Sequence, residues 1–334
     1  MSRFQKKSFL VFSFLFFFFA FVPSVSAHVK WFVNATSTKA QGYSLSEWPV
    51  LVFLAVVITI LIVSFILDRF LKIPEKYRLY LARLESQATT LFNIIIGASL
   101  ILFSLNDYLF APNLQTSTSF DSILLCLQVL CGIALIFGLF SRIAAATLLI
   151  LYFAVGVHFG LANMLDTLDV VGIALFLLVA GRPNWKLFDI KPRILEALQP
   201  YAVPILRVFT GLNLLILGFS EKILNPNLGQ AFLDNHPWNF MKILGFEWFS
   251  DRTFILFAGG FEAIFGLLLL FGLITRLTAL ALAGFFVTTM ILLGPIELIG
   301  HLPHFAIVFV LLVFGSGDKL RFGDFLARYN PLKY

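Results

Sequence analysis

Few residues of this chain can do chemistry, and each stands out against apolar neighbours. Glu262 sits eight residues past Phe254 in the run F-I-L-F-A-G-G-F-E-A-I-F-G, roughly 12 Å along a helix that rises 1.5 Å per residue. A carboxylate at that depth in hydrocarbon needs a cation, a hydrogen-bonding partner or a water-filled site, which makes Glu262 a candidate for proton exchange and ligand binding. Lys222 and Arg207, at opposite ends of the preceding apolar run, are the cations placed to reach it. Glu221 adds a second acid beside Lys222, so Glu262, Glu221 and Lys222 form the candidate catalytic set. The stretch G-P-I-E-L-I-G-H-L-P-H brings Glu297, His301 and His304 within one short turn, with Pro303 suited to the first position of the following helix. Imidazole and carboxylate suit copper or zinc, and His28 would add an α-amino group and an imidazole if it became a free N-terminus. Trp238 and Trp248, in the long segment between residues 222 and 252, are candidates to cap a hydrophobic cofactor held at Glu262.

Each assignment has a plainer alternative that the residues leave open. Glu262 would also serve as a structural hydrogen bond between helices, and Glu221 with Lys222 as a solvated helix end. The histidine spacing matches no established metal motif, and Trp at a membrane interface is the ordinary aromatic belt. Cys126 and Cys131, five residues apart in one apolar run, have neither redox nor metal-site spacing and read as small buried core residues.

The elements that must position these residues are membrane helices. With 60% hydrophobic and 13% charged residues and a mean hydropathy of +0.94, the chain has too little polar surface to cover a soluble body of 334 residues. The net charge of +6 does not indicate a nucleic-acid partner, because the Lys and Arg flank apolar runs, where they set orientation in the bilayer. Residues 1–27 carry a basic start, an apolar stretch and the small-residue ending V-P-S-V-S-A, the pattern of a cleavable signal peptide, with an uncleaved anchor as the alternative. Residues 28–48 then form an outer segment. Apolar runs follow near 49–68, 90–110, 123–140, 143–160, 167–181, 202–219, 253–273, 276–294 and 303–316, which predicts nine spans, the fifth and ninth of them short. With the N-terminus outside, the alternate joints and the tail from Asp318, including the final segment 324–334, fall in the cytoplasm and hold fifteen basic residues against five on the outer side. That bias predicts a plasma (inner) membrane protein with a periplasmic N-terminus and a cytoplasmic C-terminus.

The segment F-G-L-F-S-R at 137–142 recurs as F-G-L-I-T-R at 271–276, an offset of 134 that also pairs Gly132 with Gly266 and Gly160 with Gly294. Gly97, Pro112, Asn113 and Leu114 match Gly211, Pro226, Asn227 and Leu228 at an offset of 114. The expected fold is therefore an all-α membrane protein: two parallel four-helix repeats, residues 88–195 and 196–323, preceded by one extra transmembrane helix and its cytoplasmic linker, residues 49–87. In this alignment Gln128 stands where Glu262 does and Asp107 where Glu221 does, while Arg142 and Arg276 recur as orientation charges at cytoplasmic turns.

The second repeat, with L-R-V-F-T-G-L-N-L-L-I-L-G-F-S-E-K, F-E-A-I-F-G-L-L-L-L-F-G-L-I-T-R and G-H-L-P-H, resembles the DoxX/DoxD-like four-helix membrane proteins. The first repeat carries the resemblance weakly. That family includes the membrane subunit of a thiosulfate:quinone oxidoreductase and proteins tied to redox and oxidative-stress systems. The resemblance implies a redox-associated, quinone-linked membrane subunit that is not catalytic alone, with a redox partner protein supplying the chemistry. Two other readings stay open: an outer-face copper- or zinc-handling protein, and a small-solute transporter, which the two-copy architecture favours and the scarcity of intramembrane charge disfavours. No P-loop, nucleophile elbow, haem-attachment or dinucleotide motif is present.

Overall fold

Helix ends fall where the sequence supplies caps and breaks. In the computed structural model, which describes residues 29–33, 41–71, 73–181 and 193–323, the chain is helical and no strand occurs among the described residues. The predicted signal peptide, His28 and the tail 324–334 lie outside the described residues. The principal helices are α1 (Trp48–Phe70), α2 (Glu75–Leu105), α3 (Ser119–Ile136), α4 (Ser141–Phe159), α5 (Leu161–Asp166), α6 (Asp169–Ala180), α7 (Arg193–Leu198), α8 (Ala202–Leu217), α9 (Pro226–Asn235), α10 (Phe240–Ile243), α11 (Asp251–Phe271), α12 (Thr275–Leu293) and α13 (Pro295–Phe314). The Thr118 hydroxyl accepts from the Asp121 N–H while the Asp121 carboxylate accepts from the Ser117 and Thr118 N–H groups, a capping box that starts α3. Ser250 caps α11 by accepting from the Thr253 N–H.

Eight helices among the described residues are long and apolar enough to cross a membrane, with the span that contains α8 running from Arg193 to Ile223. The fifth predicted span is different. Its apolar part, α6, has 12 residues, about 18 Å at 1.5 Å per residue, and the short α5 leads into it. The ninth is longer than expected. It begins at Pro295, immediately after Gly294 at φ 84°, and Pro303 lies inside the helix rather than at its start. Pro295 already fills the first-turn position, where its missing N–H costs nothing.

Around the body, α2 packs on α3, α3 on α4, α4 on α6, α6 on α8, α8 on α11, α11 on α12, α12 on α13, and α13 returns to α2. One apolar core, with Phe92, Leu148, Phe176, Leu206, Leu268 and Leu311, runs through both halves. Four of the glycines related by the two offsets, Gly97, Gly132, Gly211 and Gly266, are points of close approach, whereas Gly160 and Gly294 have nothing within 4 Å of an added Cβ. A Cβ on Gly97 would meet the Gly132 carbonyl at 2.5 Å, and one on Gly211 would meet the Gly266 carbonyl at 2.7 Å. Small residues at such crossings let helix backbones touch where no hydrophobic effect drives association. The recurring arginines also act alike. Arg142 donates to the Leu178 carbonyl at 3.0 Å, and Arg276 donates to Leu312 and Val313 at 3.0 and 2.9 Å, satisfying the last carbonyls of α6 and α13. They are helix caps as well as charges at a turn.

Helix α1 lies outside the closed circuit, against α11 through Val50, Phe53 and Leu256. Its remaining face, including Leu51, Ile58, Ile62 and Ile66, is exposed, as a lipid-facing helix requires. Cys131 is buried with its thiol toward the Ala144 carbonyl, but Cys126 is exposed, so only one of the two cysteines is a core residue.

Candidate functional site

The chemistry begins where α8 stops being an α-helix. From Gly218 to Ile223 the chain winds as a π-helix, a form that inserts an extra residue, rotates the side chains that follow and recurs at functional sites. Both Glu221 and Lys222 turn inward, with 1% and 0% of their surfaces exposed. The corresponding end of α2 stops at Leu105, and Asp107 lies exposed at φ 60°. The acid expected to recur in both halves is therefore part of the interior in one half only.

Gly218 and Gly259 let the π-turn and α11 approach closely, since a Cβ on Gly218 would meet the Gly259 carbonyl at 2.5 Å. This contact brings the Lys222 ammonium to both oxygens of Glu262, at 2.8 and 2.9 Å. Arg207, the other cation considered for Glu262, goes elsewhere. It is fully buried and donates to the carbonyls of Leu269, Leu270, Ser316 and Leu320, tying the ends of α11 and α13 together. Gln128, the counterpart of Glu262, spends its amide on neutral bonds: Nε2 donates to Leu100, Ser104 and Tyr108, and Oε1 accepts from the Phe110 N–H. The two positions paired by the sequence offset thus hold a closed amide network at Gln128 and a buried ion pair at Glu262.

The short segment 29–33 inserts beside this pair. The Val29 N–H donates to Glu221 Oε2 at 3.1 Å. The Lys30 ammonium bonds Asp166 and lies 3.8 Å from Glu221 Oε1. Burial pushes the Asp166 carboxyl above its ordinary value, and the bond from Lys30 pulls against that rise. Trp31 donates from Nε1 to Asn113 Oδ1 at 3.2 Å, and Asn113 in turn meets Asn163 at 3.4 Å. Lys30, Asp166, Asp169 and Asn113 were absent from the sequence-based candidates. The signal that could have found the acids is L-D-T-L-D-V-V, two carboxylates opening an apolar run.

Glu297, His301 and His304 do come together, though along a helix rather than in a turn. At positions i, i+4 and i+7 they occupy one face of α13. His301 Nδ1 lies 3.0 Å from Glu297 Oε2 and 3.0 Å from the Glu297 carbonyl, its ring stacks on Phe286 with centroids 4.6 Å apart, and Trp31 packs on it at 5.0 Å. His304 Nε2 faces Asp169 Oδ2 at 3.5 Å. Among the described residues no group of three His, Cys, Asp or Glu side chains is placed to hold a metal ion, and the fourth proposed ligand, His28, lies outside them. Trp238 packs on Phe232 and His236, at 5.8 and 5.7 Å. Trp248 is 63% exposed beside Trp48. The two tryptophans thus sit in aromatic clusters of the segment between α9 and α11 and have no described contact with Glu262.

A small cavity lies against this region, lined by Trp31, Asn113, Asp166, Thr167, Asp169 and His304 together with apolar side chains of α2, α4, α6 and α13. The fold and the site define an all-α, multi-pass membrane protein with a buried, charged centre at one end of its helix circuit. Residues 202–295 match the DoxX family model, so the half that carries Lys222 and Glu262 is DoxX-like. Comparison with curated proteins and with solved structures gave no match.

Proposed function

We propose that this chain is a redox-associated, quinone-linked membrane subunit whose Lys222–Glu262 pair, with Glu221, exchanges protons with the bound head group. The observation that carries the reading is the ion pair itself, buried at 2.8 Å within the DoxX-like half. Taking two charges out of water costs several kcal/mol each, and Gln128, which the sequence offset pairs with Glu262, is satisfied as an amide without charge. A pair retained at such cost suits a site where protons must be held and released. The donor set fits the ligand: an ammonium and a carboxyl offer both a donor and an acceptor to a carbonyl that becomes a hydroxyl. A bound quinone would supply the two-electron chemistry. Lys222 would hold and orient its carbonyl and Glu262 would hold the proton beside it, with Glu221 as the next acid along the π-turn. Electrons would come from a partner protein, since the chain has no motif for a haem, flavin or nucleotide.

The charge bias of the joints supports an outer location for this end of the protein and a cytoplasmic C-terminus. The glycine and arginine contacts that recur at the two sequence offsets support a duplicated four-helix unit. A ligand that binds only the folded state stabilises it by about 2.7 kcal/mol at a hundred times its Kd. Addition of a short-chain quinone should therefore raise the unfolding temperature of the detergent-solubilised parent and leave Glu262→Gln unchanged. No shift in the parent would count against the reading.

One observation favours a second reading, handling of copper or zinc: Glu297 holds His301 through Nδ1, the arrangement by which a carboxylate orients a metal-binding imidazole. Copper titration followed by electron paramagnetic resonance, with and without His28→Ala, tests it; the absence of tight binding would end it.

A further inference from the structure

Residues 29–33 are held in a way that their composition alone does not require. Val29 is fully buried, and Val33 packs with it against Leu228, Phe232 and Ile255. The segment has polar ties to both halves. Val29 is bonded to Glu221 of the π-turn, whereas Lys30 is bonded to Asp166 at the end of α5 and Trp31 to Asn113 in the loop between α2 and α3. The Trp31 ring occupies a socket on α13 that exists because residue 300 is glycine, since a Cβ there would lie 2.2 Å from the ring. Trp31 also forms part of the wall of the largely apolar cavity into which Asp166, Asp169 and His304 bring polar groups. Five residues thus bridge the two halves and cover buried carboxylates that a bare opening would leave to water.

We propose that residues 29–33 are a tethered stopper: Lys30 and Trp31 latch the segment across the end of the helix circuit, and its release opens the polar interior to water-soluble molecules. Lys30 is the ionic latch, because its ammonium supplies the counter-charge for Asp166 and approaches Glu221. Trp31 is the steric latch, because its ring fills the Gly300 socket. The stopper covers the interior whatever ligand that interior serves, so its test does not depend on quinone binding.

The test uses the full chain with Cys126→Ser and Cys131→Ser, and a reporter at Thr167→Cys, which lines the cavity and is 4% exposed. A small cationic methanethiosulfonate reagent reads accessibility in detergent. The parent should be modified slowly, and both Trp31→Ala and Gly300→Ala should raise the rate at least tenfold. Gly300→Ala guards against misfolding, because alanine is the better helix former and the change disturbs only the socket. Cleavage by trypsin after Lys30 gives a second reading without any cysteine: the parent should resist, and Gly300→Ala should be cut at least tenfold faster. Rapid modification of the parent, or unchanged labelling and cleavage in the variants, would overturn the stopper.

Discussion

The buried pair makes a prediction whose sign separates a charge pair from ordinary packing. Lys222 is fully buried and Glu262 nearly so, with both carboxylate oxygens within 2.9 Å of the ammonium. At that separation and an effective dielectric of about 20, the attraction is roughly 5–6 kcal/mol before desolvation is counted. Removing one partner leaves the other charge in the interior and costs about 3–5 kcal/mol, whereas replacing both with apolar side chains of similar volume is neutral or stabilising by about 1–4 kcal/mol. Glu262→Leu and Lys222→Met should each lower the unfolding temperature of the solubilised protein substantially. The double variant should recover to the parent value or exceed it, while losing quinone-dependent stabilisation. Glu262→Gln should fall between, because its amide oxygen keeps one hydrogen bond to the ammonium. If the two single losses simply add in the double variant, the pair is not coupled and the electrostatic argument fails.

Other predictions follow from contacts further from the pair. Gly211→Ala places a methyl group 2.7 Å from the Gly266 carbonyl and should cost about 1–3 kcal/mol by forcing α8 from α11; Gly284→Ala, inside α12 with nothing within 4 Å, should instead stabilise by up to about 1 kcal/mol in the same thermal assay. Just before α1, hydrogen bonds from Arg252 and from the Ser44 N–H hold the Glu47 carboxyl at about 2, against an ordinary value of 4.5. A depressed carboxyl contributes stability above its unfolded value and loses it as pH falls through the folded one. The stability difference between the parent and Glu47→Gln should therefore be constant from pH 7 to about 5 and shrink between about 4.5 and 2; a difference unchanged at pH 2 would contradict it. A reporter fused after Tyr334 should be active only on the cytoplasmic side, and activity on the outer side would reverse the orientation.

Apolar run length and the two sequence offsets located most of the helices and the glycine crossings, because bilayer thickness and close backbone approach act directly on residue type. The candidate site was legible only in part. Lys222 was considered for Glu262 on its position alone, and the structure brings the two into contact. What an α-helical count cannot anticipate is the π-turn at Gly218–Ile223, which turns Glu221 inward while its counterpart Asp107 stays exposed. Arg207 looked equally able to reach Glu262, yet it donates instead to carbonyls at the end of α11 and in the segment after α13. Proline spacing suggested a helix starting at Pro303, but Pro295 starts it a full two turns earlier. The insertion of residues 29–33 depends on partners far along the chain, at Asn113, Asp166, Glu221 and Gly300. No local pattern reports it.

The most direct test of the quinone-linked reading is mass spectrometry of lipids that remain bound to the purified full chain, comparing the parent with the Lys222→Met/Glu262→Leu double variant. The pair should hold quinone in near-stoichiometric amount in the parent and lose it in the double variant, whose fold is preserved. Quinone absent from the parent, or retained equally by both proteins, would contradict the reading.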